Sequence, residues 1–399
     1  MMEIKSTTIA TEPSSRLFFI DNLRTGLITL VVLHHVAVVY GGTVVPFYYF
    51  EPPLTDPLAF LALLVFVLVN QSWFMGALFL LSGYFTPGSF DRKGSGSFLK
   101  DRLLRLGIPL ILFYFVLSPI SWIGLWQMPV GLTGITDPFT WQTYLHFFGM
   151  GPLWFVAMLL VFDFGYAAWR MLTRNRIPNS TSNSSLPSYL LIGVFILALA
   201  GVSYLIRMVI PIGKEVLDFP TLAYLPQYLS LFVLGAFASR HNWFRTLPSS
   251  MGLAGFVIAL VVGVILFPLA FSGQLLSLEF GPAFTNLMGN GQWQSAVYAI
   301  WDSAFAVGMC LGVIILFRHL FNGQGRLGKF LSQHSYTVYV IHIPIVTFLA
   351  VALKGITLAA LLKFGLLAII AVPASFAAAY IVRKIPFASK IFWTVPVLN

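Results

Sequence analysis

The chain has 399 residues, of which 58% are hydrophobic and only 9% charged, with a formal net charge of +10. A soluble domain carries roughly a quarter charged residues, so a water-soluble globular protein is excluded and the implied solvent is a lipid bilayer. The positive charge is spread between apolar runs instead of forming one patch, which argues against nucleic acid as a partner, and the single cysteine, Cys310, excludes an intramolecular disulfide and a cysteine-rich metal site.

Residues 1–15 are polar and lack the short apolar core and cleavage site of a secretory leader. They read as an N-terminal tail, and the first apolar run itself directs insertion. A spanning helix needs about 20 apolar residues. Ten runs qualify, roughly 22–41, 58–86, 106–127, 152–172, 189–210, 221–239, 252–272, 294–317, 335–353 and 359–382. The predicted fold is an all-α polytopic bundle of about ten transmembrane helices, with the membrane domain over 16–385 and a short C-terminal tail over 386–399. With the N-terminus inside, all but four of the 23 Lys and Arg fall at cytoplasmic loops, the exceptions being Arg207, Lys214, Lys354 and Lys363. This asymmetry predicts that both termini are cytoplasmic.

The first run, FFIDNLRTGLITLVVLHHVAVVYGG, carries groups that a bilayer disfavours. Arg24 and His35 are eleven residues apart, close to three whole turns and about 16 Å along one helix face. Asp21 sits one turn before Arg24, where it can pair with it and complement the helix start. His34 points about 100° away from His35, so the spacing assigns any chemistry to His35 and leaves His34 dispensable. An anchoring Arg–Asp pair and a hydrogen-bonded buried histidine would each be unremarkable alone; their alignment favours a functional stripe.

The second run is overlong, and Asn70-Gln71-Ser72 in its middle predicts a kink or an extension out of the membrane. Next comes GSFDRKGSGSFLKDRLLRLGIPL. Gly88, Gly94 and Gly96 predict a flexible loop, Ser97 an N-cap, and Lys100, Arg102 and Arg105 a cationic entry into the third run. Two guanidiniums at i, i+3 suit bidentate phosphate binding; positive-inside charge or anionic lipid binding would use the same residues.

The outer segments 41–57, 128–151 and 273–293 are rich in aromatics, among them Trp126, Trp141 and Trp293. They read as an interfacial belt or a rim for sugar rings. PNSTSNSSLPS at 178–188 reads as a polar linker whose glycosylation-like matches at Asn179 and Asn183 fall on the cytoplasmic side and are accidental. No internal repeat of the inverted-transporter kind is visible. Later runs add Asp163, Asp302 within Trp-Asp-Ser, and HSYTVYVIH, where Ser335, Tyr339 and His342 recur on one face. Asp302 is placed to pair with a cation of another span, and together these residues imply a polar cavity inside the bundle.

Several of these stretches carry a family resemblance. IDNLRTGLITLVVLHH has an Arg-x10-His spacing at Arg24 and His35; WFMGALFLLSGYF, KDRLLRLGIPL, GPLWFVAMLLVFD and SYTVYVIHIP follow in order. In this the chain resembles the acyltransferase 3 family of integral membrane acyltransferases, a group that includes O-antigen acetylases and glucan succinyltransferases. It is similar to the stand-alone members, because it has no added soluble hydrolase-like domain. The resemblance implies transfer of an acetyl or succinyl-like group from cytoplasmic acyl-CoA, a co-substrate and not a resident cofactor, to a hydroxyl on the other face, usually of a glycan. It implies no metal, a lipid bilayer as the surroundings, and the inner membrane of a prokaryotic cell. On this reading His35 is the general base or relays a proton from the acceptor hydroxyl, Arg24 holds the donor or orients its carbonyl with Asp21 positioning it, and Arg102, Arg105 and Lys100 bind CoA phosphates. Ser82, Trp154, Asp163, Tyr339 and His342 line the substrate cavity. Direct transfer and a covalent acyl-enzyme both stay open, and Cys310 reads as a small buried hydrophobe. The competing readings are a proton-coupled transporter, which would use the same polar cavity and histidine, and a scaffold with structural polar residues.

Overall fold

A computed structural model describes residues 16–41, 47–53, 56–173, 186–220, 222–272, 274–276 and 280–391. The predicted tail 1–15, Asn179, Asn183 and most of the polar linker lie outside the described residues.

Among the described residues ten helical spans are long and apolar enough to cross a membrane: Phe18–Val39, Pro57–Lys93, Ser95–Gln127, Trp141–Leu172, Tyr189–Val209, Leu222–Arg240, Ser249–Ala270, Trp293–Leu320, Arg326–Ala352 and Ala360–Lys384. We number them 1 to 10. Spans 1, 8 and 9 form the centre, with 61%, 72% and 61% of their apolar windows buried; spans 5 and 7, at 17% and 22%, turn most of their surface to lipid. His35, Asp302 and His342 all lie on the central three.

Span 2 breaks where the sequence predicts. One helix runs Pro57–Gln71, with Asp56 capping the amide of Ala59 at 3.0 Å, and a second runs Phe74–Lys93. At the break the Ser72 carbonyl is satisfied in trans by the Gln227 side-chain amide at 2.7 Å, as lipid requires of any freed backbone group. The second helix packs against span 6 at a glycine crossing. A side-chain carbon on Gly83 would collide with the Phe232 carbonyl, and one on Gly235 with that of Leu80, so only glycine allows the two backbones to approach.

Span 3 departs from expectation. The helix of span 2 continues to Lys93, and span 3 begins at Ser95, so the predicted loop 88–96 reduces to a break at Gly94, which adopts φ 73°. Gly94, and not Ser97, occupies the N-cap position, and no side chain caps the helix. Span 3 then contains two π-helical turns, Leu103–Gly107 and Phe113–Leu117, each followed by a proline, Pro109 and Pro119. Proline has no N–H for the carbonyl four residues back. Those carbonyls find outside donors: the Tyr336 hydroxyl bonds Arg105 O at 2.8 Å, and the Tyr144 hydroxyl bonds Phe115 O at 2.6 Å.

The segment 128–151 folds into short helices Val130–Thr133 and Trp141–His146. Trp126 donates its indole N–H to Asp137 O at 2.8 Å and packs against Phe139 and Phe147, whereas Trp141 and Trp293 are 70% and 51% exposed. A belt role thus suits Trp141 and Trp293, while Trp126 is part of the outer cap.

Candidate active site

The N-cap residue Leu17 and positions 21, 24, 28, 31 and 35 of span 1 form one helical stripe. Leu17, Asp21, Arg24 and Ile28 line a cavity of about 660 Å³ at the basic end of the bundle, and Val31 and His35 line a chamber of about 50 Å³ deeper in. One helix face therefore joins the two spaces.

The larger cavity is cationic. Its wall holds seven Lys and Arg side chains (Arg16, Arg24, Arg92, Lys93, Arg102, Arg105 and Arg245) against three Asp (Asp21, Asp101 and Asp163), an excess of four positive charges. Each carboxylate holds cations in place. Asp21, 5% exposed, pairs with Arg24 at 3.1 Å and Arg16 at 2.9 Å. Asp163, fully buried, contacts Arg102 at 3.0 Å and accepts from the Thr86 hydroxyl at 2.9 Å. Asp101 meets Arg105 and Lys93, both at 2.7 Å. The guanidinium of Arg102 also lies over the Phe98 ring at 5.0 Å. Ser82, Asp163 and Tyr339 line this cavity, as the sequence suggests. Lys100 does not: it is exposed and outside the wall, because the helical turn that brings Arg102 inward carries it outward.

The small chamber is lined by His34, His35, Gln71, Phe74 and Trp154, among others, and Tyr339 stands in the walls of both spaces. The Tyr339 hydroxyl donates to the Pro152 carbonyl, so this contact is the partition between them. Trp154 thus belongs to the chamber and not to the larger cavity. His342 lies behind His35, outside either wall, with the rings 4.9 Å apart. His34 does not point away from the site as the helical wheel suggested. Helices Pro57–Gln71 and Phe74–Lys93 meet beside it, and their Gln71 and Phe74 close the chamber around both histidines.

The hydrogen bonds order the histidine protons. His342 Nδ1 lies 2.7 Å from Tyr339 O, and His35 Nδ1 lies 2.9 Å from Val31 O. A carbonyl only accepts, so both Nδ1 atoms carry hydrogen in the neutral rings. His342 Nε2 is then bare and accepts from His35 Nδ1, 3.2 Å away. His35 Nε2 is left as a free lone pair, the arrangement of a base oriented by a partner. The far side of His35 is roofed by aromatics: Phe47 stacks on it at 6.0 Å, and Trp122 lies against Phe47, Tyr48 and Phe147. Burial pushes the Tyr48 phenol well above its ordinary range, so it stays uncharged.

Two charges counted with the outer loops are not loop charges. Arg207 is 0% exposed, paired with Asp302 and flanked by the Tyr224 and Tyr298 rings at 4.8 and 5.4 Å. Lys363, 4% exposed, pairs with Glu51. Asp302 thus has the cation from another span that the sequence called for. Phe47, Gln71, Trp122 and Pro152 were not anticipated at the site; only the break at Asn70–Ser72 hinted at Gln71. Among the described residues no group of His, Cys, Asp and Glu is arranged to hold a metal ion.

The fold and the site together define a polytopic membrane protein with a cationic cavity leading to a buried histidine pair. Residues 17–383 match the acyltransferase 3 family, described as an acyltransferase domain, and the chain belongs to that family. It is similar to Glucans biosynthesis protein C of Escherichia coli O139:H28 (strain E24377A / ETEC), at 25% identity over 364 residues, covering 84% of this chain and 83% of that protein. The protein of the same name from Escherichia coli O157:H7 (strain EC4115 / EHEC) is 24% identical over 357 residues, and that of Shigella dysenteriae serotype 1 (strain Sd197) 24% over 361, each with the same coverage of 84% and 83%. The protein is a multi-pass integral membrane acyltransferase.

Proposed function

We propose that the protein takes an acyl group from acyl-CoA bound in the cavity of about 660 Å³ and transfers it to a hydroxyl, best matched by a glycan, that reaches the histidine chamber from the opposite face. The observation that carries this reading is the stripe on span 1, which leads from an arginine-rich cavity to His35 without leaving one helix face. CoA carries about three to four negative charges on its phosphates, and the cavity wall has an excess of four positive ones. Arg102 and Arg105 meet the phosphates, while Arg24, on the stripe that continues to the chamber, holds the donor.

At the reacting centre, His35 Nε2 takes the proton of the acceptor hydroxyl, and the oxygen attacks the thioester carbon. His342 accepts from His35 Nδ1 and stabilises the imidazolium that forms. The departing CoA thiolate then recovers the proton from His35. No acyl-enzyme is required. Cys310 is buried in span 8 and lines neither space. A chamber of about 50 Å³ holds about three to five water-sized groups, and its wall has no Lys or Arg. It suits an acetyl group better than a succinyl group, which is larger and charged.

The cationic end faces the cytoplasm on this reading, where acyl-CoA is found, and the glycan wording of the relatives' names agrees with an acceptor on the other side. Membranes holding the protein, given acetyl-CoA or succinyl-CoA labelled in the acyl group, should release label from acetyl-CoA faster. His35→Ala should reduce release by about 100-fold or more. Absence of His35-dependent release from any acyl-CoA would overturn the donor assignment.

A further inference from the structure

His34 is the buried imidazole that the Arg24–His35 register leaves without a task. It is 8% exposed, it lines the same chamber as His35, and its Nδ1 is buried with no hydrogen-bond partner among the described residues. Its ring stacks on Phe74 at 5.0 Å and meets the His35 ring at 5.4 Å. A phenyl ring would fill that space equally well and leave no buried polar atom unpaired. The retained imidazole makes sense when a ligand supplies its partner.

Apart from the Trp154 indole N–H and the bare His35 Nε2, the other side-chain polar groups of the chamber are engaged. His35 Nδ1 is held by Val31 O and His342, the Gln71 amide donates to the Tyr228 hydroxyl at 3.0 Å, and the Tyr339 hydroxyl donates to Pro152 O. His34 is the buried imidazole left without a partner among the described residues. We propose that His34 is a second catalytic residue, a neutral imidazole whose N–H donates to the carbonyl oxygen of the acyl thioester. This rests on the acyl-transfer reading above. The acceptor oxygen forms its bond to the carbonyl carbon as His35 takes its proton, and the C=O π pair moves onto the oxygen that His34 faces. When the tetrahedral adduct collapses, that pair re-forms the carbonyl, the C–S bond breaks, and the CoA thiolate takes the proton from His35. The products are an ester and free CoA, with both histidines returned to their starting state. A donor already in place where negative charge develops, in a site shielded from water, acts on the transition state more than on the bound substrate.

The test uses the full chain in membranes with acyl-labelled acetyl-CoA, comparing wild type with His34→Phe, His34→Asn and His34→Gln. Phenylalanine keeps the stack on Phe74 and removes the N–H; the two amides restore an N–H near Nδ1 or Nε2. His34→Phe should lower kcat about 100-fold and leave KM for acetyl-CoA within about twofold. At least one amide variant should recover about tenfold or more of that loss. Activity of His34→Phe within about threefold of wild type would overturn the assignment alone. So would equal losses in all three variants with a lowered melting temperature, the mark of a structural role. Wild type that releases no label from acetyl-CoA or any other acyl-CoA would remove the donor reading and this assignment together.

Discussion

At the scale of single residues, the site is a set of charges and rings whose partners decide what each can do. Val31 O and His342, itself held by Tyr339 O, fix the proton of His35 on Nδ1 and leave Nε2 bare. Removing that partner should matter for rate more than for binding. His342→Leu is expected to lower kcat about 100-fold, with His342→Gln, which keeps an acceptor for Nδ1–H, losing less; steady-state kinetics with labelled acyl-CoA decides it. The cavity arginines divide differently. Arg105 shares an exposed-side carboxylate, Asp101, with Lys93, so Arg105→Gln should raise KM for acyl-CoA about tenfold with little effect on folding. Arg102 is the sole cation shown against fully buried Asp163, and Arg102→Gln would strand that carboxylate. Its binding role is therefore best read in Arg102→Gln combined with Asp163→Asn. The Arg24–His35 register was legible from sequence because helical periodicity is local. The contact of His35 with His342 was not, because it joins residues 307 apart in sequence, and no periodicity reaches that far.

At the scale of elements, the break in span 2 and the π turns of span 3 shape the site. Asn70-Gln71-Ser72 announced the first, because polar residues inside an apolar run need partners that a continuous helix does not supply. The π turns were signalled by Pro109 and Pro119, yet their consequence depended on donors, Tyr336 and Tyr144, that sit on other elements. Lys100, expected with Arg102 and Arg105 at the CoA phosphates, stands exposed outside the cavity wall, about 200° around the helix from Arg102. The crossing of span 2 on span 6 gives a direct check. Gly83→Ala would push a methyl into a backbone carbonyl, while Gly165 has nothing within 4 Å. Gly83→Ala should destabilise by about 1–3 kcal/mol, and Gly165→Ala should leave the melting temperature of the purified protein unchanged or slightly higher.

At the scale of the whole molecule, burial sorts charges that sequence position alone could not. Counting Lys and Arg by loop placed Arg207 and Lys363 outside, yet both are buried in ion pairs that tie spans 5 and 8, and span 10 and the segment before span 2, together. Arg207→Leu leaves Asp302 uncompensated and should cost about 3–5 kcal/mol, with Arg207→Leu/Asp302→Leu recovering much of it; thermal unfolding in detergent measures both. The remaining basic asymmetry still predicts which face is inside. With the lone native Cys310 buried, a cysteine at exposed Ser97 should react with a membrane-impermeant maleimide only in inverted vesicles, and one at exposed Thr136 only from outside the cell. The partition at Tyr339 has a further consequence for the host membrane. On the proposed transfer, one substrate arrives from each side, and such an enzyme risks becoming a hole in a membrane that stores energy as a proton gradient. Here the cationic cavity and the histidine chamber meet at a single phenol bonded to Pro152, and Phe47 and Trp122 roof the chamber. The protein is insulated at its centre, and Tyr339→Gly should turn it into a leak, visible as collapse of an imposed pH gradient in proteoliposomes that wild type sustains.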